Sequence, residues 1–433
     1  MPDDQAERLA RRYGRRMTMI GFTCFNIGIG LCYGIFGALV LHMEQLFRAD
    51  RATMGLTLSL VALTHGLFAP LMGGLIPRVG IKPLMILGAI LTSTGFAVLP
   101  FATGGLMMLA IYGLLIGPGT ALMGSLPVQT LIGNWYAQAP GRMIGFAMMP
   151  IVITVIPVLV VLLLPTLGVK GILFGAAAIA AAVIPLQLMI IDRPAQVGLR
   201  PVGAATDATA LERSPTMPTL GYRQLWRNPY FIMMATAAGV VAGAGVAKSA
   251  HLVPILVEQG WSLERSALLL SISGATGMVG SIVFGMIADR WNAALALGMS
   301  AFVQAVVWLV LILPASFSLL VADAVIIGMC GGGMASAKAV LVGRVFGREN
   351  FPLVAGLSSF TAVPFLFLLS PLAGFLRQET GAYHVPLLVI ICLLAAAGLM
   401  NLTIVRLENR VKQRSIPQSA MDLPPVLTPL AKP

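Results

Sequence analysis

The sequence contains very few charged residues for its length. Of its 433 residues, 10% are Asp, Glu, Lys or Arg, whereas 58% are hydrophobic. Soluble proteins carry about a quarter charged residues, and so sparse a set cannot cover a water-exposed surface. Length alone would suggest two or three soluble domains, but the composition excludes them and indicates a membrane protein.

Cysteines and catalytic patterns are equally sparse. The four cysteines lie inside apolar runs, where cysteine acts as a small hydrophobic residue, and no pair has metal-ligand spacing. They are Cys24, Cys32, Cys330 and Cys392. The sequence contains no phosphate-binding loop and no nucleophile triad. The chain is therefore not expected to be an enzyme, to form a metal site or to bind a cofactor.

Acidic residues are outnumbered by basic ones, 16 to 28, which gives a formal net charge of +12. The basic residues cluster in the N-terminal arm, in a central stretch and in the C-terminal tail. A basic excess can indicate a nucleic-acid partner, but here it flanks long apolar runs, as the positive-inside rule describes for cytoplasmic loops. We therefore predict that the chain binds no nucleic acid and lies in the inner (cytoplasmic) membrane with both termini cytoplasmic.

Twelve apolar runs are long enough to span a bilayer, which takes about 20 residues. They are 17–40, 54–77, 83–101, 106–130, 141–164, 170–191, 229–255, 266–288, 293–314, 317–340, 353–376 and 383–405. The stretch 192–228 is too polar to span and too short to be a domain, so it is interpreted as a cytoplasmic linker. The predicted organisation is a basic arm 1–16, a six-helix bundle 17–191, the linker 192–228, a second six-helix bundle 229–405 and a cytoplasmic tail 406–433.

Related motifs follow the second and the eighth run, at 73–80 and 285–292. Two parallel six-helix repeats are the plan of one large class of transporters. The motifs resemble the loop motif of the major facilitator superfamily, Gly-x-Leu-Ala-Asp-Arg-x-Gly-Arg-Arg. The first copy has Pro77 in place of the acid. The residues that match are Gly73, Leu75, Arg78, Gly80 and Lys82 in the first copy, and Gly285, Ala288, Asp289 and Arg290 in the second.

This resemblance implies an all-α membrane protein with twelve transmembrane helices in two six-helix bundles, working as a monomer by alternating access. In the family the motif acid makes charge–helix contacts that steady the outward-open state. Pro77 implies that the first half lacks this contact. The expected gating residues are Gly73, Arg78, Gly80, Gly285, Asp289, Arg290 and Arg142.

Shorter motifs resemble the monocarboxylate porter and oxalate/formate antiporter group. Residues 30–36, around Tyr33, are similar to its Tyr-x-Gly-Val-Phe pattern; 134–145 resembles its entry to span five, and 251–262 the end of its span seven. The group places an anion-binding arginine in span eight, four residues before the motif glycine. Ser281 occupies that position here, so the resemblance does not supply the anion site.

Ionisable residues inside spans are costly and therefore candidates for function. Lys248 and His251 lie three residues apart on one face of span seven, where they could replace the missing arginine for a carboxylate; Lys248 could instead snorkel outward. His65 lies at the centre of span two and could bind substrate or carry a proton, or simply bond a neighbouring helix. Asp323 in span ten is a second proton candidate or a partner of Lys248, unless it lies at the interface.

Two polar residues share a face of span one. Asn26 and Tyr33 are seven residues apart, so they could line a cavity, although helix–helix hydrogen bonding is equally plausible. Ser281 is included with the substrate candidates because of its motif position. For Lys338, near the cytoplasmic end of span ten, snorkelling is the favoured interpretation.

The leading hypothesis is a secondary transporter of small organic anions, most simply monocarboxylates, coupled to protons or working as an exchanger. The excess of basic over acidic groups in the spans favours an anion. Two alternatives stay open. A carrier or exporter of neutral or amphiphilic molecules fits the loss of the arginine at Ser281. A receptor or scaffold that transports nothing is disfavoured by the gating motif.

Overall fold

The part of the chain that the structure describes forms twelve membrane-crossing helices. The computed structural model describes residues 3–49, 51–204, 220–313 and 315–414. Within these ranges ten helices are long and apolar enough to cross a membrane. Two of them, Pro140–Leu188 with 49 residues and Phe317–Thr380 with 64, would be about 74 and 96 Å long if straight. The hydrocarbon core is about 30 Å thick, so each of these two crosses twice.

A single glycine divides each of these long segments. Gly168 has φ 62° and ψ 176°, and Gly347 has φ 78° and ψ 164°, values outside the helical region. Residues with a Cβ rarely adopt positive φ, so glycine allows the break without strain. Ten candidates therefore become twelve crossings, which confirms the twelve-helix fold expected from the sequence.

We number the crossings α1 to α12. The first half contains α1 (Asp3–Ile29, continued by Gly30–Ile35 and Phe36–Leu46), α2 (Arg51–Val79), α3 (Ile81–Val98), α4 (Gly105–Trp135), α5 (140–167) and α6 (169–188). The second half contains α7 (Pro229–Glu258), α8 (Leu263–Arg290), α9 (Ala293–Leu311), α10 (317–346), α11 (348–380) and α12 (His384–Arg414). The connecting segment contains Pro194–Val197 and Tyr222–Trp226.

Parts of two predicted segments lie outside the described residues, namely 205–219 of the linker and 415–433 of the tail. Because the number of crossings is even, both ends of the described chain lie on the same side of the bundle. We call this the basic side, since Arg78, Arg142, Arg290 and Arg344 lie at helix ends there. The opposite side is called the distal side.

Glycine lets helices approach closely within each half. In the second half, a Cβ on Gly332 of α10 would collide with the carbonyl oxygen of Gly277 on α8. In the first half, a Cβ on Gly119 of α4 would lie 2.8 Å from the carbonyl oxygen of Gly88 on α3. In a membrane, where apolar burial gives little driving force between helices, such close backbone packing is a main source of association.

The two halves meet on the basic side. The backbone of α5 touches that of α8 at Gly141 and Gly285, and α2 touches α11 where a Cβ on Gly73 would lie 2.6 Å from the carbonyl oxygen of Pro352. Further toward the distal side, residues 151–167 of α5 pack against α1 of their own half, where a Cβ on Gly30 or Gly34 would meet Val152 or Ile156. In the described residues they have no extended contact with α8, and α7 has none with α1. The halves are thus closed on the basic side and apart on the distal side.

Candidate functional site

A cavity of about 190 Å³ lies between the two halves. Helices α2 and α4 of the first half and α7, α10 and α11 of the second half line it. Most of the wall is apolar, and polar groups come chiefly from His65, Ser125, Lys338 and Ser359. A concave, largely apolar site with a few polar groups, lined by both repeats, is where a transporter of this plan binds substrate.

Lys338 brings a cationic group into this cavity. It lies eight residues before Phe346, the last residue of α10, which is about 12 Å along the helix axis. In the described part of the chain its ammonium group has no hydrogen bond and no ion pair. A charge at such depth is costly without a counter-charge or solvent, so this position favours an anion in the cavity.

His65 faces the same cavity from the middle of α2. Its Nε2 lies 2.9 Å from the hydroxyl oxygen of Thr120. That hydroxyl already donates to the carbonyl oxygens of Ile116 and Gly117, at 2.8 and 3.0 Å. Nε2 of His65 must therefore carry the proton and donate, an assignment inferred from the network. The tautomer leaves Nδ1 of His65 as an acceptor.

Tyr33 stands edge-on to His65, with 6.5 Å between the ring centres. It belongs to a π-helical turn, Gly30–Ile35, within α1, and α4 contains a second such turn, Tyr112–Ile116. Short π-helical turns occur frequently at functional sites. Tyr33 is thus brought next to His65, as a shared site would require.

Asn26 has a different environment. Its side-chain amide donates to the carbonyl oxygen of Phe22 at 3.1 Å, and its Oδ1 accepts from the backbone N–H of Val152 at 3.0 Å. This contact joins α1 to α5 directly after Pro150, where the α5 helix is interrupted. The bonds place Asn26 as a link between two helices of the first half.

Lys248 and His251 lie within the second half, apart from the central cavity. They border a crevice of only about 10 Å³, too small to hold an organic anion. Nζ of Lys248 donates to the hydroxyl of Ser273 on α8 at 2.7 Å. His251 bonds Tyr383 through Nδ1 at 3.1 Å and the carbonyl oxygen of Ser370 through Nε2 at 2.9 Å.

Asp323 completes this cluster from α10. The residue is 3% exposed, and its carboxylate interacts electrostatically with Lys248. Within the described residues its Oδ1 has no hydrogen-bond partner. The structure thus brings Asp323 together with Lys248 and Ser273, and separates all three from His65.

The motif acid of the second half connects the two halves on the basic side. Oδ1 and Oδ2 of Asp289 accept from the backbone N–H groups of Gly141 and Arg142, at 2.9 and 2.8 Å. These groups belong to the first turn of α5, where a carboxylate is favoured by the helix dipole. Arg344 holds the end of α8 by donating to the carbonyl oxygen of Asp289 at 2.6 Å.

Ser281 lies in the contact between the halves. Its hydroxyl donates to the carbonyl oxygen of Gly145 at 2.8 Å, and the residue is 2% exposed. A Cβ on Gly145 would collide with the carbonyl oxygen of Ser281. The serine that stands in the arginine position therefore serves close packing of α5 on α8.

The first-half motif has no such acid contact. Pro77 stands at the acid position, and Gly80 adopts φ 92° at the turn into α3. A carboxylate from elsewhere, Asp192, accepts from the backbone N–H groups of Ile81 and Lys82, at 2.8 and 3.1 Å. This contact stays inside the first half, so among the described residues only the second-half motif supplies an acid contact between the halves.

Sequence reasoning missed the cavity position of Lys338, the role of Thr120 and the cap that Asp192 provides. The cavity position of Lys338 could have been inferred from the presence of a charged residue inside an apolar run. Nothing in the local sequence marks Thr120 or Asp192, because their partners lie 55 and 111 residues away along the chain.

Two repeated six-helix halves around a shared cavity, in contact on one side, are the plan of a membrane transporter rather than of an enzyme. The sequence profile of the Major Facilitator Superfamily matches residues 17–317, and the chain belongs to this family.

Within the family, the chain is similar to the monocarboxylate group. It is 26% identical over 402 residues to Monocarboxylate transporter 12 of Xenopus laevis, covering 84% of this chain and 83% of that protein. It is 25% identical over 370 residues to Monocarboxylate transporter 11 of Homo sapiens, covering 82% and 76%. The resemblance expected from the short motifs is thereby confirmed.

Solved structures show the same fold at lower identity. The proton:xylose symporter XylE bound to 6-bromo-6-deoxy-D-glucose superposes with a TM-score of 0.69 at 14% identity, covering 91% of this chain and 96% of that one. A bacterial homologue of the iron transporter ferroportin in the outward-facing state also gives 0.69 at 14% identity, covering 90% and 98%. These likenesses support the architecture.

Proposed function

We propose that this protein carries small organic monoanions, chiefly monocarboxylates, across the cytoplasmic membrane by alternating access. The observation that carries the proposal is the ammonium group of Lys338, which has no partner among the described residues and lines, with His65, a cavity between the two halves. The carboxylate binds Lys338 as a point charge. His65 accepts a hydrogen bond at Nδ1 from a hydroxyl or another donor group on the substrate.

The cavity walls restrict the substrate further. Beside the two ionisable groups stand methyl and thioether surfaces such as Met72, Met334 and Leu366. One cationic group surrounded by apolar surface matches a molecule with one carboxylate and a short apolar body. A dicarboxylate would leave its second charge against this surface at a high desolvation cost. The printed names of the relatives, monocarboxylate transporters, point the same way.

The basic side is assigned to the cytoplasm by the positive-inside rule, so both termini are cytoplasmic. The closed basic side and separated distal side then describe an outward-open transporter. The contact of Asp289 with the first turn of α5 stabilises this state. Its release, with closure of the distal side around substrate, would give the inward-open state.

We further propose proton symport, with Asp323 as the proton carrier. Its carboxylate is buried on α10, about 9 Å along the axis from the first residue of that helix, Phe317. A proton there would weaken its attraction for Lys248 and free the lysine to interact more strongly with Ser273 on α8. Because α10 also carries Lys338, protonation and anion binding act on the same helix.

Uptake by reconstituted protein tests the proposal. Purified protein is reconstituted in liposomes with an inwardly directed proton gradient. Uptake is then measured for a panel of radiolabelled monocarboxylates, dicarboxylates and neutral analogues. We expect accumulation of monocarboxylates and a loss of about tenfold or more in Lys338→Gln, since a charge-assisted bond is removed. Lys170→Gln, which removes an exposed lysine at the α5–α6 turn, is the matched control.

Three results would contradict parts of this proposal. Uptake of neutral analogues alone would replace the anion by a neutral or amphiphilic substrate. Monocarboxylate uptake that is unchanged in Lys338→Gln but lost in Lys248→Ala would move the site into the second half. No uptake of any compound, by protein shown to be folded, would reject transport of these classes.

A further inference from the structure

A second cavity lies on the basic side, where the halves meet. Its volume is about 720 Å³, within the range of about 300–1,000 Å³ typical of ligand sites. The first half contributes the end of α4, the loop after it and the start of α5, and the second half contributes the ends of α8 and α10 and the start of α11. It shares no lining residue with the central cavity.

The charge of this cavity is strongly positive. Four arginines line it, against one carboxylate, that of Asp289. They are Arg142, Arg290, Arg344 and Arg348. Both carboxylate oxygens of Asp289 are already bonded to the backbone of α5. The acid therefore leaves most of the positive charge uncompensated.

Two of the guanidinium groups are held in place by backbone carbonyls. Arg344 donates to Asp289 and Trp291, at 2.6 and 3.3 Å, and Arg348 donates to Tyr136 at 3.2 Å. Carbonyl oxygens fix the orientation of a guanidinium without neutralising it. Within the described residues the guanidinium groups of Arg142 and Arg290 have no hydrogen bond and no ion pair, although that of Arg142 interacts electrostatically with Asp289. The cavity thus combines two positioned guanidinium groups with two available ones.

We infer that this cavity binds a phosphate-bearing anion with two or more negative charges. Arginine forks match phosphate oxygens in bidentate geometry, and Gln138 adds an amide donor at the same wall. A single negative charge would leave the cavity cationic, whereas a polyvalent phosphate compensates it. The phosphate can belong to a soluble ester or to the headgroup of an anionic phospholipid.

Such a ligand acts on the gate, because its contacts come from both halves. Arg142 belongs to the first half and Arg290, Arg344 and Arg348 belong to the second. The site is complete only when the basic side is closed, so a ligand bound there favours the closed arrangement by its differential affinity. Phosphate on the basic side therefore slows the turnover of the transporter, whatever its substrate is.

Binding is measured first with inorganic pyrophosphate on detergent-purified protein. Gly133 lines the cavity, and a Cβ added there meets no atom within 4 Å, so Gly133→Cys reports on the site. Cys392, which is exposed, is replaced by serine in the same protein. We expect pyrophosphate to slow maleimide labelling of the introduced thiol saturably and to raise the melting temperature.

The arginines are then tested by substitution. Arg142→Gln with Arg290→Gln should weaken pyrophosphate binding by about tenfold or more, because two charge-assisted contacts are lost. Arg15→Gln removes the same charge from an exposed position on the arm of α1 and should leave binding unchanged. If the double variant does not fold, the single variant Arg290→Gln provides the test of pyrophosphate binding. It should fold, because the guanidinium group of Arg290 makes no hydrogen bond in the described structure.

The lipid composition of nanodiscs distinguishes a soluble phosphate ligand from a phospholipid headgroup. Protection of the thiol by pyrophosphate in phosphatidylcholine nanodiscs supports a soluble ligand. Protection only in nanodiscs containing phosphatidic acid supports a lipid headgroup at the same arginines. The inference is overturned if neither pyrophosphate nor phosphatidic acid changes the labelling rate. It is also overturned if the pyrophosphate effect persists in the double variant Arg142→Gln with Arg290→Gln.

Discussion

Replacing Asp289 by asparagine should open the basic side of the transporter. The carboxylate accepts two backbone N–H bonds at the start of α5. In Asp289→Asn one acceptor remains, while the amide NH₂ would face a second N–H donor. Loss of one charge-assisted bond and of the charge–dipole interaction costs about 1 to 3 kcal/mol. Because the contact exists only when the halves are closed there, the equilibrium should shift about 5- to 150-fold toward the open state.

The chain provides a matched control for this prediction. Asp192 makes the same pair of backbone contacts, to Ile81 and Lys82 at the start of α3, but within the first half. Asp192→Asn should therefore lower the thermal stability without moving the halves apart. Comparing the two variants separates the loss of a helix cap from the loss of a gate.

Distances between spin labels measure the shift. Labels at Val79→Cys and Trp291→Cys, both exposed at the basic side and in different halves, would be placed on a Cys392→Ser background. We expect a new, longer distance population in Asp289→Asn and an unchanged distribution in Asp192→Asn. Equal distributions in all three proteins would refute the role of Asp289 as the gate contact.

Three further substitutions have defined outcomes. Gly332→Val should lower the melting temperature strongly, because the new side chain would collide with α8. Gly331→Ala, at a position where a Cβ meets nothing within 4 Å, should leave it unchanged. Equal melting temperatures of the two variants would contradict the packing argument. Asp323→Asn should abolish accumulation driven by a pH gradient but keep substrate exchange, and gradient-driven uptake at the wild-type level would exclude Asp323 as proton carrier. Ser281→Arg should prevent closure of the basic side, because the position is buried against Gly145. Spin-label distances between positions 79 and 291 that stay as in the wild type would contradict this prediction.

The fold could be predicted because the bilayer restricts what a sequence can do. Spans must be long and apolar, so hydrophobic runs gave α7 as 229–255 and α8 as 266–288, against Pro229–Glu258 and Leu263–Arg290 in the structure. The number of spans follows from the same restriction. Helix ends beyond the apolar run are not restricted by lipid, which is why predicted boundaries fall short by up to three residues at these ends.

The candidate site was less predictable, for two physical reasons. In a helix that is apolar all round, depth can be estimated from the sequence but the face that a residue presents cannot. Lys248 therefore appeared to be a cavity residue, whereas it contacts Ser273 within its own half. Lys338 appeared to lie at a helix end because the apolar run stops at 340, but α10 continues to Phe346, so the lysine lies deeper than expected.

The single-residue connection at Gly347 has a mechanical consequence. Helix α10 passes directly into α11 there, with no loop to absorb displacement. If α11 moves away from α2 during the proposed alternating access, α10 must follow through this joint, and Lys338 moves with it. Opening of the basic side and displacement of the cation that we propose to bind the substrate anion would then be a single movement.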